Sequence, residues 1–173
     1  MLSLDLVIKP PFCMNKKQIL QQIIATLQRD FSALQTAVDL ARDAATHEES
    51  KAENKYDTRG LEASYLAHGQ AQRAAEIAMA LDNYQRLSKT ELPQCDQVML
   101  SALVELEDES GGRRYLWLGA EAGGLKLASE GKDVTVVTPQ SPLGKVLMGR
   151  RVEDEVLVDV RDERVEYVLV SLC

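Results

Sequence analysis

The sequence predicts an α+β protein: an N-terminal antiparallel two-helix coiled-coil hairpin, then a small antiparallel β domain carrying one short helix. Three observations predict it. Two long segments repeat apolar residues at heptad spacing. Beyond Pro93 the pattern changes to strict alternation. Within that alternating part, Ser141 and Pro142 open a segment that Gly149 closes, which reads as a short capped helix.

Residues 1–14 form an N-terminal extension ending in Lys9, Pro10 and Pro11, which stop any regular element before the first helix. Residues 15–90 form the hairpin. Helix one is expected from Asn15, a suitable N-cap, to Thr46. Its apolar positions Leu20, Ile24, Leu27, Phe31, Leu34, Val38, Ala41 and Ala45 alternate steps of four and three without a break. At about 1.5 Å per residue the rod is on the order of 48 Å long. Helix two is expected from Asp57 to Ser88, with Ala63, Ala67, Gln70, Ala74, Ile77, Leu81 and Tyr84 in the same rhythm. Small residues end the first seam and begin the second, while the bulky ones lie at the opposite ends. Pairing small with small and large with large fits an antiparallel hairpin, which two helices of equal length joined by a short turn favour over an intermolecular dimer. Gly60 and Gly69 each cost roughly 1 kcal/mol against alanine, so the start of helix two is its softer part.

Residues 91–173 alternate: Val98, Leu100, Ala102 and Val104; Tyr115 and Trp117; Val134 and Val136; Val156, Val158 and Val160; Val165, Tyr167 and Leu169. Turns are expected at Ser110–Gly112 and Arg161–Glu163. Five or six antiparallel strands follow, with the Ser141–Met148 helix packed on one face.

Charge and cysteine usage narrow the function classes. The net charge of −7 falls wholly in residues 91–173, which hold 9 cationic and 16 acidic side chains. Such a half is a poor free binder of duplex DNA, which needs clustered cations, and a protein partner with a basic surface suits it better. Cys13, Cys95 and Cys173 lie far apart with no Cys/His cluster, so no metal site is expected in the isolated chain. An odd cysteine count, the lack of a secretion leader and the lack of a bilayer-length apolar run predict a cytoplasmic protein with reduced thiols and no membrane contact. No G-x-S-x-G elbow is present to suggest an autonomous hydrolase.

One stretch is specific enough to name a family. Ser141, Pro142, Leu143, Gly144, Lys145, Leu147, Met148, Gly149, Arg150, Val152, Asp154 and Val156 fill a pattern that resembles the C-terminal signature of the bacterial Gre transcript-cleavage factors, GreA and GreB. The resemblance implies an FKBP-like fold for residues 91–173. It also implies a partner, bacterial RNA polymerase, with the hairpin inserted through the secondary channel and the C-terminal domain docked on the channel rim. Lys145, Arg150 and Asp154, on the charged edge beside the capped helix, are the docking candidates.

The resemblance further implies an acidic tip at the end of the hairpin, over residues 47–57. Four carboxylates, Glu48, Glu49, Glu53 and Asp57, crowd there with only Lys51 and Lys55 to offset them. Solvated helix ends often carry such charge, and acids at a helix N-terminus complement its dipole. In Gre-like proteins a D-x-x-E-N-x-x-Y tip supplies a functional Asp–Glu pair beside the polymerase's magnesium. This chain departs from that motif. Aligned on Glu53 and Asn54, Ser50 stands where the aspartate belongs; aligned on Tyr56, Glu49 fits but Ala52 replaces the glutamate. Glu49 and Glu53, four apart, share one side of a helical turn and are the expected functional pair, with Glu48 and Asp57 as alternates. Lys51, Asn54, Lys55 and Arg59 are the candidates for contact with polymerase or the nascent RNA 3′ end.

Two further readings stand beside a cleavage-stimulating factor. The broken tip motif suits a regulator that occupies the channel without promoting cleavage. The FKBP-like domain suggests a peptidyl-prolyl isomerase, but such a site needs an aromatic-lined pocket. Beyond Pro93 only Tyr115, Trp117 and Tyr167 are aromatic. No cofactor of the chain's own is expected; the Mg²⁺ belongs to the polymerase.

Overall fold

The computed structural model describes residues 14–46, 59–160 and 163–173. They fall into two compact units: Leu20–Glu91, and Leu92–Cys173 together with the segment that ends at Ile19.

The helical unit follows the heptads. Helix α1 runs Lys16–Thr46 and α2 runs Arg59–Ser88. Asn15 caps α1 as its spacing predicted, its side-chain oxygen accepting from the Gln18 amide at 3.2 Å. Along α1, Leu20 and Leu27 are buried and Ile24, Phe31, Leu34, Val38 and Ala41 are half-buried. Along α2, Ala74, Ile77 and Tyr84 are buried and Ala67, Gln70 and Leu81 half-buried. The predicted seams are therefore the covered faces. Full burial sits early in α1 and late in α2, which is the pattern of an antiparallel pair. Bulky side chains close the seam at that end, whereas alanine and glutamine leave it half open at the other. Gly69 has nothing within 4 Å of where a Cβ would stand. Gly69→Ala is therefore expected to raise the stability of α2 by about 0.5–1 kcal/mol, read as a higher urea midpoint for the helical unit.

The second unit is one six-stranded sheet in the order β3-β4-β2-β1-β6-β5. Its strands are β1 Leu103–Asp108, β2 Arg113–Leu118, β3 Lys126–Ser129, β4 Lys132–Val137, β5 Glu155–Val160 and β6 Glu163–Leu172, with helix α3, Pro142–Leu147, between β4 and β5. The α+β expectation holds, with two local corrections. The sheet is not wholly antiparallel, because β2 and β4 pair in parallel. The chain leaves β2, runs to the sheet edge for β3 and returns as β4, so β4 enters beside β2 in the same direction. Nor does a strand run from Val98 to Val104. Residues 99–102 form a turn closed by Ala102 N–H donating to the Met99 carbonyl at 3.1 Å, with Ser101 at φ +69. Val98 and Ala102 are buried, but Leu100 between them is exposed, because the turn breaks the alternation.

Two tight turns set the registers. At Ser110–Gly112, the Asp108 carboxylate accepts from the Ser110 hydroxyl at 2.6 Å, the Gly112 amide at 2.8 Å and the Ser110 amide at 2.9 Å. These bonds, the Ser110 hydroxyl first, hold the Asp108 carboxyl below its ordinary value of 3.8. The turn therefore contributes stability above that value and loses it as the pH falls through the lowered one. Glu130 and Gly131, both at positive φ, join β3 to β4 as a two-residue hairpin loop. The expected turn at Arg161–Glu163 falls partly outside the described residues; β5 and β6 pair antiparallel with Val160 opposite Glu163.

The sheet's two faces differ. One packs Val104, Leu106, Leu116, Leu118, Tyr167 and Leu169 beneath Leu147 of α3. On the other, Leu103, Trp117 and Val136 form a row across β1, β2 and β4, each 0% exposed. Glu105, 4% exposed on this second face, is charge-paired with Arg113 at 2.6 Å. Burial on that face ends before β5, where Leu157 is half exposed.

Candidate functional site

The acidic tip lies outside the described residues: Glu48, Glu49, Lys51, Glu53, Asn54, Lys55 and Asp57 all fall within 47–58. Arg59 opens α2, and its side chain is likewise outside them. Just beyond, α2 exposes Leu61, Tyr65 and Leu66. Nothing in the heptad pattern singles these out. Their signal was being apolar off the seam. Of the cations near the upper helices, Arg73 pairs with Glu76 at 3.2 Å, and Arg42 also has an interaction.

The Ser141–Val156 stretch is fully described, and its chemistry follows from its residue types. Ser141 sits in extended conformation at the N-cap of α3. Its hydroxyl accepts from the Gly144 amide at 3.0 Å and donates to the Thr138 carbonyl at 2.7 Å. One oxygen thus satisfies an orphan helix donor and ties the helix to the end of β4. Pro142 fills the first turn, where its missing N–H costs nothing. Gly144 has no side chain because there is no room for one. A Cβ there would stand 1.9 Å from the Thr138 carbonyl oxygen. Gly149, at φ +78, ends the helix. Its amide donates to the Val98 carbonyl at 2.8 Å, and the Val98 amide returns a bond to the Arg150 carbonyl at 2.7 Å.

Those two bonds lay the 98–100 segment beside the end of α3. Met99, Leu100, Met148 and Val152 are all exposed, at 38–45%. Of the predicted docking residues, Lys145 and Arg150 are exposed, and the Arg150 guanidinium donates to the Val146 carbonyl at 3.2 Å. Asp154 is half-buried; its carboxylate accepts from the Arg151 amide at 2.8 Å and closes the turn into β5. The structure therefore brings Lys145 and Arg150 to one surface and gives Asp154 a partner in the backbone. The sequence alone gives these four no common signal: Met99 and Leu100 lie in the 98–104 alternation that reads as a strand, and Met148 and Val152 lie some fifty residues on.

No family model matches the chain. It is 27% identical over 157 residues to the transcription inhibitor protein Gfh1 of Thermus thermophilus, a match covering 88% of this chain and 91% of that relative. It is also 30% identical over 79 residues to the transcription elongation factor GreA of Nitratidesulfovibrio vulgaris. That match covers 44% of the chain and 45% of GreA, so it spans under half of that relative's length. These matches show homology to Gfh1 and GreA, at the low identity of a divergent relative. Among solved structures, Gfh1 of Thermus thermophilus aligns over 89% of this chain and 94% of its own at 25% identity, with a TM-score of 0.38.

Among the described residues no three His, Cys, Asp or Glu side chains gather in a group that could hold a metal ion, and no helix is long and apolar enough to cross a membrane. Trp117 and Tyr167 are 0% and 1% exposed, and they belong to opposite faces of the sheet.

Proposed function

We propose that this Gre homologue is an accessory transcription factor that binds bacterial RNA polymerase, inserts its helical hairpin through the secondary channel and promotes cleavage of backtracked RNA. The observation that carries its transcription part is the relationship, across 88% of the chain, to a protein named a transcription inhibitor; the cleavage part rests on the carboxylates between the two helices in the sequence. The capped α3 and its exposed surroundings support docking of the β domain on the channel rim. Lys145 and Arg150 supply cations there, and Met99, Leu100, Met148 and Val152 supply apolar contact.

In this reading the cleavage site belongs to the polymerase. Glu49 and Glu53 would bring carboxylates to it that could help hold a second Mg²⁺ and orient the attacking water; the metal would supply Lewis-acid stabilisation of charge on phosphate. Lys51, Asn54, Lys55 and Arg59, close to these acids in the sequence, would contact the polymerase or the RNA 3′ end. The protein works in the cytosol and holds no cofactor of its own.

A second reading has specific support. The relative matched along nearly its whole length is named a transcription inhibitor, and no alignment of the tip restores D-x-x-E. In that reading the hairpin occupies the channel without promoting cleavage. Adding the full chain to a stalled, backtracked polymerase complex separates the two. RNA shortened from its 3′ end is the expected result; binding without shortening favours the inhibitor, and failure to bind core polymerase rejects both.

A further inference from the structure

The second sheet face, so well covered over β1, β2 and β4, is left open across β6 and β5. The registers arrange its side chains in rows. Val168 lies between Glu107 on β1 and Glu155 on β5, and Leu157 on β5 lies opposite Glu166 on β6. Leu157 is 50% and Val168 37% exposed. Val168, Val170 and Glu166 line a concavity together with Glu107, Asp108 and Glu109 at the end of β1.

The charges on this face do not balance. Glu107 pairs with Arg113 at 3.0 Å and Asp159 with Arg164 at 3.4 Å. Glu155 and Glu166 have no ionic partner among the described residues. Carboxylates brought together on neighbouring strands repel, and exposed leucine and valine between them gain nothing from water. Both costs fall if a surface bearing cations and apolar side chains covers the face. A second copy would bring the same carboxylates and be repelled. Nucleic acid and anionic lipid are repelled in the same way.

We infer that the outer face of β1, β6 and β5 is a docking surface for a protein segment in which lysine or arginine accompanies apolar side chains. Its partner is taken to be the polymerase, and to that extent the inference rests on the proposed function. This surface lies on the opposite side of the sheet from α3, so it adds a second area of contact to the one beside the capped helix. The carboxylates give orientation and a salt-dependent association, while Leu157 and Val168 supply the contact that excludes water.

The test measures binding of the full chain to core RNA polymerase at low and moderate salt. The proteins compared are the wild type, Glu155→Lys with Glu166→Lys, and Leu157→Ser. The charge-reversed variant should bind at least about tenfold more weakly at low salt and show a flatter salt dependence. Leu157→Ser should weaken binding several-fold with the salt dependence unchanged. Circular dichroism melts of both variants establish that the domain is folded. Folded variants that bind as tightly as wild type overturn the docking surface and leave the proposed function intact. A wild-type chain that does not bind polymerase overturns both. A wild-type dimer dissociated by the same substitutions assigns the face to a second copy and overturns the inference.

Discussion

Alanine at both Glu49 and Glu53 should abolish RNA shortening in a backtracked complex while leaving binding to core polymerase unchanged. Carboxylates that orient an attacking water and hold a metal act on the transition state, so their loss appears in the rate rather than in the affinity. The loss expected for removing such groups is about 10²-fold or more. Each single variant should already lose most of it, because groups that share one task are not additive. Single-turnover cleavage at saturating factor gives the measurement. Undiminished shortening by the double variant rejects these two acids as the functional pair and moves the role to Glu48 or Asp57. Weakened binding instead makes them docking residues.

Gly144→Ala should be the most damaging conservative change in the β domain. The new methyl would meet the Thr138 carbonyl oxygen at 1.9 Å and the Ser141 hydroxyl at 3.0 Å. Neither can simply step aside, because that carbonyl accepts both the Ser141 hydroxyl and, at 3.0 Å, the Ser141 amide. Relief of the clash breaks the cap or shifts α3 off the core that Leu147 fills. The cost is about 3 kcal/mol, or roughly 15 °C in melting temperature for a domain of this size. Gly149→Ala serves as the comparison. It has open space around it and a positive φ, so it suffers only the backbone penalty of about 1 kcal/mol. A Gly144→Ala melting point within about 2 °C of wild type contradicts the close approach.

The helices were legible because a two-helix rod has a single buried stripe, and a repeat of seven marks that stripe directly. Leu20, Leu27, Ala74, Ile77 and Tyr84 are covered where the spacing put them. The short helix was legible for another reason. Serine, proline and two glycines at fixed offsets each do a backbone job that few other residues can do. Strand pairing was less so. Alternation gives the face a residue occupies but not its neighbour, so the parallel β2–β4 pair had no signature in either strand. The β3–β4 hairpin was overlooked because Leu127 and Ala128 make too short a run, although Gly131 after Glu130 was a usable sign. The candidate site divides in the same way. Lys145 and Arg150 were visible through the motif around them, whereas the segments that carry Met99, Leu100, Met148 and Val152 are joined by two backbone bonds at Val98 that no local pattern announces.

The position of β6 has a consequence for how the domain is made. It follows every other strand in the chain, yet it lies between β1 and β5. While the ribosome is still delivering it, β1 keeps one bare edge and β5 has no strand to pair with. Both ladders, β1–β6 and β5–β6, depend on that one strand, so a chain cut before Glu163 loses the two together.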